Sequence, residues 1–322
     1  MSMRMQDNES RPSRFPGSVP RFAVAGLLWL SMLTAASGQA SGGSEVKETS
    51  DEDGTWIVHI FRETDDLVVS SPIEVEYLIV AGGGGGGPSG NHLTAGGGGG
   101  AGGLLEGAIH LAADTYSIVV GDGGAGAPGA FNSTSGDNGT NSTAFDLTAV
   151  GGGGGGRYND AAGEAGGSGG GAAARGSGVT DPLTRAAGTE GQGFEGGARG
   201  VNSGTAGAAS GGGAGGPGID NVSSSVGRDG GPGVTRDITG VDTVYAAGGG
   251  GGGGSGSGSA GGQSQTGGHG GARDEDGLDA ADNTGGGGGG GGNNTQSGGR
   301  GGSGIVVVRY RQPPAGTVIM LK

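Results

Sequence analysis

The sequence predicts an all-β protein whose glycine tracts are part of the fold, and three observations predict it. Short runs of β-branched and aromatic residues recur along the chain, as in residues 55–61 (TWIVHIF), 73–80 (IEVEYLIV) and 305–311 (IVVVRYR). No window places apolar residues at i, i+3, i+4 and i+7, so no long helix is expected after the N-terminal hydrophobic stretch. The glycine runs are not scattered. Three share one lead-in, a short apolar strand ending in Ala or Val: YLIVAGGGGGG (77–87), DLTAVGGGGGG (146–156) and TVYAAGGGGGGG (243–254). A slack linker has no reason to repeat its approach.

Taken in order, residues 22–33 (FAVAGLLWLSML) form an apolar run preceded by Arg4, Arg11, Arg14 and Arg21 and followed by TAASGQASG. That is the pattern of a secretory signal peptide. Small residues occupy positions −3 and −1 for cleavage after Gly38 (Ala36 and Gly38) or after Ala40 (Gly38 and Ala40). A signal anchor is the rival reading, but residues 22–36 supply 15 positions against the ~20 of a membrane span. The expected organisation is a signal peptide over 1–40 and a flexible acidic leader over 41–54. A glycine-rich β-domain over 55–312 and a C-terminal strand or tail over 313–322 complete it. No membrane contact is expected after cleavage.

Within the domain, residues 55–61 and 66–69 (DLVV) read as strands separated by RETD, and Pro72 marks the boundary before residues 73–80. Residues 104–111 (LLEGAIHL) and 115–121 (TYSIVVG) flank a short AAD connection and predict a hairpin. A fourth glycine tract, 285–292, leads to the strand at 305–311, and TVIML (317–321) reads as a last strand.

Ordering a residue costs about 1–2 kcal/mol of backbone entropy, towards the high end for glycine. No side chain offsets that cost by burial. Extended helices of the polyproline-II class pack laterally where side chains are absent, and glycine keeps the N–H that proline lacks. Each net hydrogen bond contributes about 0.5–1.5 kcal/mol. One such strand is marginal, so several tracts must pack together with their ends held in register by a β-scaffold. Gly84→Val should then disrupt packing far more than it would in a linker.

Composition sets the remaining bounds. Glycine supplies 91 of 322 residues, about four times its ordinary share of ~7%. There is no Gly-X-Y period and only 11 prolines, which excludes collagen. The chain carries 31 acidic and 17 basic residues, and Lys47 and Lys322 are its only lysines. Without residues 1–40 the net charge is −16. That sign, with arginines dispersed, argues against a nucleic-acid partner. Cysteine is absent, so disulfides, thiolate metal sites and cysteine nucleophiles are excluded.

Glycine-based motifs carry little weight here, since G-x-G-x-x-G arises about seven times by chance. GGSGG at 166–170 fits a nucleophile elbow but lacks the strand-then-helix context. His59, His92, His110 and His269 show no mutual metal spacing. His59 and His110 fall in strands, and His92 and His269 fall in glycine-rich loops. Two acidic DEDG clusters, at 51–54 and 274–277, the second extended by Asp279 and Asp282, lack calcium-loop spacing and read as solvated charge runs. N-x-S/T sequons at Asn132, Asn138, Asn141, Asn221 and Asn293 lie in polar loops open to glycans. No catalytic, cofactor or metal residues are expected.

The ordered series TWIVHIF, VEYLIVAGGGGGG, AGGGGGAGG, TYSIVVGDGGAG, GTNSTAFDLTAVGGGGGG and GGSGIVVVRY, spanning residues 56–310, resembles the glycine-rich domain of secreted, surface and phage tail-associated proteins. It is also similar to the glycine-rich ectodomain segment of the leukocyte and anaplastic-lymphoma receptor tyrosine kinases. The resemblance implies a β-sandwich of tumour-necrosis-factor-like, jelly-roll topology with an inserted polyglycine-II helix bundle. The chain departs from the pattern in having AAD where a Pro-Gly turn is common, and in acidic insertions such as RDEDGLDAAD (273–282). No kinase region is present, so receptor signalling does not carry over.

The expected function is a non-enzymatic secreted or surface scaffold, with loops 157–164, 185–199 and 263–282 presenting polar contacts to a surface glycan or protein. A matrix, wall or coat component without a discrete ligand is one alternative. Ice binding is another, weakened by the lack of a regular threonine array.

Overall fold

The computed structural model describes residues 39–52, 54–90, 94–129, 134–158, 162–174, 184–199, 207–222, 225–255 and 261–312. Most of the expected signal peptide and the C-terminal segment 313–322 lie outside these residues, as do His92, Asn132 and Asp53. Twelve strands and no helix form among the described residues.

The longest strands build a five-stranded antiparallel sheet. Its members are β2 (Glu45–Asp51), β3 (Gly54–Phe61), β5 (Ile73–Val80), β6 (Leu104–Leu111) and β12 (Ile305–Arg311), in the order β2-β3-β12-β5-β6. A second sheet of β1 (Ala40–Ser41), β4 (Asp65–Val69) and β7 (Asp114–Ile118) runs in the order β1-β4-β7. The hairpin of β8 (Ser142–Ala144) and β9 (Leu147–Ala149) adjoins β7 through the Val119–Thr143 bridge. Phe61, Leu67, Ile79, Ile118 and Val306, from both sheets, are fully buried together. That shared core makes the β-sandwich.

The other face of the large sheet is covered too. Val58, Leu78, Val80 and Val307 pack against Ile238, Tyr245 and Ala246 around the small hairpin of β10 (Val234–Arg236) and β11 (Thr243–Tyr245). Burial on both faces explains why β12 and the end of β5 read as unbroken apolar runs and not as alternating ones.

Two expectations are corrected. Residues 41–54, expected as a flexible leader, hold half of β1 and all of β2, which pairs with β3 from Glu45↔Ile60 to Asp51↔Gly54. The charged residues that suggested a leader suit an edge strand, where charge discourages further pairing. The 104–111 and 115–121 segments are not a hairpin. β6 pairs with β5 and β7 with β4, so the short link between them crosses from one sheet to the other.

The glycine tracts leave the sheet together. Val80 pairs with both Ile305 and Leu104 at one end of the sheet. The chain continues outward from there as tracts 81–87, 96–103 and 298–304, and the Ala81 amide donates to Gly103 O at 3.0 Å. Hydrogen bonds of the 82–87 tract then repeat every third residue. Gly82 and Gly85 donate to Thr140 and Asp137, Gly83 and Gly86 to Gly302 and Gly299, and Gly84 and Gly87 to Gly100 and Gly97, all at 2.8–3.1 Å. Carbonyls follow the same rule. Those of Gly82 and Gly85 accept from Gly152 and Gly155, those of Gly83 and Gly86 from Gly124 and Ala127, and those of Gly84 and Gly87 from Gly288 and Gly291. One tract therefore bonds six neighbours, where a β-strand bonds two.

Side chains are excluded by the same geometry. A Cβ on Gly83 would lie 2.0 Å from Gly286 O, on Gly84 2.2 Å from Gly153 O, and on Gly85 2.0 Å from Ala125 O. Outer tracts relax this at one position in three. Along residues 121–128, Asp122, Ala125 and Pro128 are exposed while Gly121, Gly124 and Ala127 are buried.

Candidate binding groove

A groove of about 680 Å³ opens where the sheet, the β10–β11 hairpin and residues 187–195 meet. Leu104, Leu105 and Glu106 of β6 form one wall, and Val234 and Arg236 of β10 another. The third wall is a tight turn at residues 189–192. Gln192 and Gly193 donate to Thr189 O, and Gly191 adopts a φ of +76° that favours glycine. Gln192 locks this turn in place. Its Oε1 accepts from the Val150 amide at 2.8 Å, its Nε2 donates to Thr148 O at 3.0 Å, and its carbonyl accepts from the Leu104 amide. The Thr189 hydroxyl adds a bond to Gly166 O at 2.9 Å.

The groove combines one open aromatic ring with fixed charge. Phe194 is 47% exposed, although its backbone is tied into the bundle through Gly213 and Gly169. Arg236 donates from Nη2 to Glu106 Oε1 at 2.6 Å and from Nε to Oε2, a two-pronged pair. These bonds hold the Glu106 carboxyl below the usual range and push Arg236 up. Glu190 and Glu195 add carboxylates, and Glu195 is held by Arg185, which also grips Asp220. The described lining residues include no histidine, serine or lysine. The arrangement suits non-covalent binding: a flat apolar group on Phe194, with hydroxyl or cationic groups meeting the acidic rim.

Two smaller hollows lie on the same sheet face. One, of about 370 Å³, adjoins Trp56, Glu74 and Arg311, and the other, of about 310 Å³, adjoins Glu76, Ile238 and Arg309. Trp56 is already engaged there. The Arg309 and Arg311 guanidinium groups sit 4.4 and 4.3 Å from its ring, and Nε1 donates to Asp51 Oδ2 at 2.6 Å.

The three loops expected to carry contacts fare differently. Of residues 185–199, the stretch 187–195 supplies the groove wall. In loop 157–164, Arg157 and Glu164 line a separate open hollow with Asp137, and residues 159–161 lie outside the described set. Residues 263–282 are in large part a bundle flank, and their acidic run is not simply solvated charge. Asp276, Asp279 and Asp282 project at every third position, and their Oδ1 atoms accept from the amides of Ser297, Arg300 and Ser303 at 2.7, 2.6 and 3.5 Å. The carboxylates occupy the place of a missing neighbouring tract. Asn138 and Asn141 do the same for Gly154 and Gly151. In the other DEDG cluster, Asp51 sits in β2 and serves Trp56.

Two sequons are closed in the fold. Asn221 is 2% exposed with Nδ2 donating to Val226 O at 3.0 Å, and Asn293 is fully buried, so neither is open to a glycan as expected. Of the histidines, His59 is buried against Tyr310, with ring centroids 5.8 Å apart and Nδ1 2.8 Å from Gly42 O. His110 sits on the open sheet face 3.6 Å from Glu74, and His269 Nδ1 accepts from the Ser264 amide. Ser168 of GGSGG is buried in the bundle.

Sequence reasoning did not place Glu106, Arg236 and Phe194 in one groove. A signal for Phe194 existed: it is the only aromatic residue between Tyr158 and Tyr245. The profile described as a glycine-rich domain matches residues 66–311. No curated protein matches the chain.

Proposed function

The chain belongs to the glycine-rich domain family, and from that premise we propose that it is a non-enzymatic secreted or surface scaffold that binds a surface glycan or protein. The bundle is a set of polyglycine-II helices in this reading, and the sandwich holds their ends. Stiffness then comes from backbone hydrogen bonds, and binding chemistry is confined to loops and outer rows. The signal-peptide pattern before Gly38 supports export. The groove around Phe194 is the observation that carries the binding reading, because an aromatic ring is left open on a turn locked by Gln192 and Thr189.

An array of surface glycans and a panel of cell surfaces, probed with the secreted chain and with Phe194→Ala, test it. Binding that falls at least tenfold in the variant supports the groove. Equal binding by both chains overturns the groove assignment. No binding by either overturns the recognition role and favours a matrix or coat component.

A further inference from the structure

Among the bonds with small residues at −3 and −1, the two that follow the apolar run as cleavage candidates above are Gly38–Gln39 and Ala40–Ser41. The fold distinguishes them. Gln39 O accepts from the Ser70 amide at 2.8 Å and from the Ser70 hydroxyl at 3.1 Å, and Gln39 Nε2 donates to Ser71 Oγ at 3.2 Å. Ala40 pairs with Val69 as the first residue of β1, and its methyl packs on the sandwich core. The following residues are equally built in. Gly42 O bonds His59 Nδ1, and the Gly43 amide donates to Asp65 Oδ2 at 3.0 Å.

Cleavage after Ala40 would therefore remove half of β1 and leave the Ser70 amide at an open edge beside the core residue Val69. Cleavage after Gly38 leaves every one of these contacts intact. We infer that the chain is processed at Gly38–Gln39 and that the mature protein begins with Gln39. The inference rests on the secretion reading above. Water, delivered by a signal-peptide-cleaving protease, splits the bond, leaving a carboxylate on Gly38 and an α-amine on Gln39. That amine can then attack its own side-chain carboxamide and release ammonia, closing a lactam that gives up the Nε2–Ser71 Oγ bond and keeps the bonds of Gln39 O to Ser70.

The test is the N-terminus of the product secreted from the full chain, read by intact mass and terminal-peptide sequencing. A start at Gln39, with or without loss of ammonia, supports the inference. A start at Ser41 overturns it while leaving secretion standing. A product that keeps residues 1–38 overturns both. Ala36→Tyr blocks position −3 of the Gly38 bond alone, so an unchanged product in that variant also overturns the assignment. A chain made to begin at Ser41 should melt about 2–4 °C below one beginning at Gln39. Equal melting removes the structural basis.

Discussion

The sandwich and the glycine bundle solve the burial problem in opposite ways. The sandwich core is made of side chains: Phe61, Leu67, Ile79 and Ile118 exclude water from between two sheets. The bundle interior is made of backbone. Along residues 82–87 the tracts approach until a carbonyl lies where each Cβ would be, and every amide finds a backbone partner in a neighbouring segment. Hydrophobic transfer stabilises the first at about 25 cal/mol per Å² of apolar surface. The second depends on hydrogen bonds that each contribute about 1 kcal/mol against glycine's large ordering cost. The two regions should therefore respond to opposite errors, the sandwich to lost atoms and the bundle to added ones.

The sharpest contrast sets Gly84→Val against Phe61→Ala. At Gly84 the new Cβ lands 2.2 Å from Gly153 O, and backbone fixed by neighbours on every side cannot retreat. Loss should exceed the ~4–5 kcal/mol that marks exceptional substitutions. Phe61→Ala should cost about 3–5 kcal/mol through its cavity. Chemical denaturation of both variants checks the order. An unchanged melting temperature for Gly84→Val would refute a packed bundle.

Acid should strike the sandwich first. Burial lowers the pKa of His59, with its bond to Gly42 O opposing the shift, so the folded state favours neutral imidazole. That stability is complete above the ordinary value of 6.5 and is lost as pH falls through the folded-state pKa. Melting followed from pH 8 to 4.5 should show the decline beginning near 6.5, and His59→Gln should flatten that part of the curve. A decline of the same size in the variant would place its cause elsewhere.

The smallest effect belongs to the bundle's rim. Asp279→Ala leaves the Arg300 amide without its acceptor and should cost about 1 kcal/mol. Asp279→Asn keeps a side-chain carbonyl there and should lose less. Amide exchange at Arg300 distinguishes this from a general loss of negative charge, which both variants share.

What could be read from the sequence followed from local chemistry. β5, β6 and β12 match the predicted segments 73–80, 104–111 and 305–311 because β-branched and aromatic runs leave few alternatives. The short strand β10 carries no such signal and packs on the cluster that holds Val58 and Leu78, whereas its partner β11 lies in the predicted lead-in at 243–247. The repeated lead-ins identified the glycine tracts as ordered, since six glycines in a row have one structural use that requires them all. Which tract bonds which, however, is absent from a run of identical residues.

Sequence alone determined that the core would be divided between apolar strands and side-chain-free tracts, because no other residues were available to fill it. Tertiary structure decided the partners. It turned Asp276, Asp279 and Asp282 from a charge run into a row of amide acceptors, closed the sequons at Asn221 and Asn293, made β2 an edge strand, and placed Phe194 in one groove with Glu106 and Arg236. The physical reason is common to all of these. A hydrogen bond or a groove wall needs two groups far apart in sequence, and only the folded chain says which two meet.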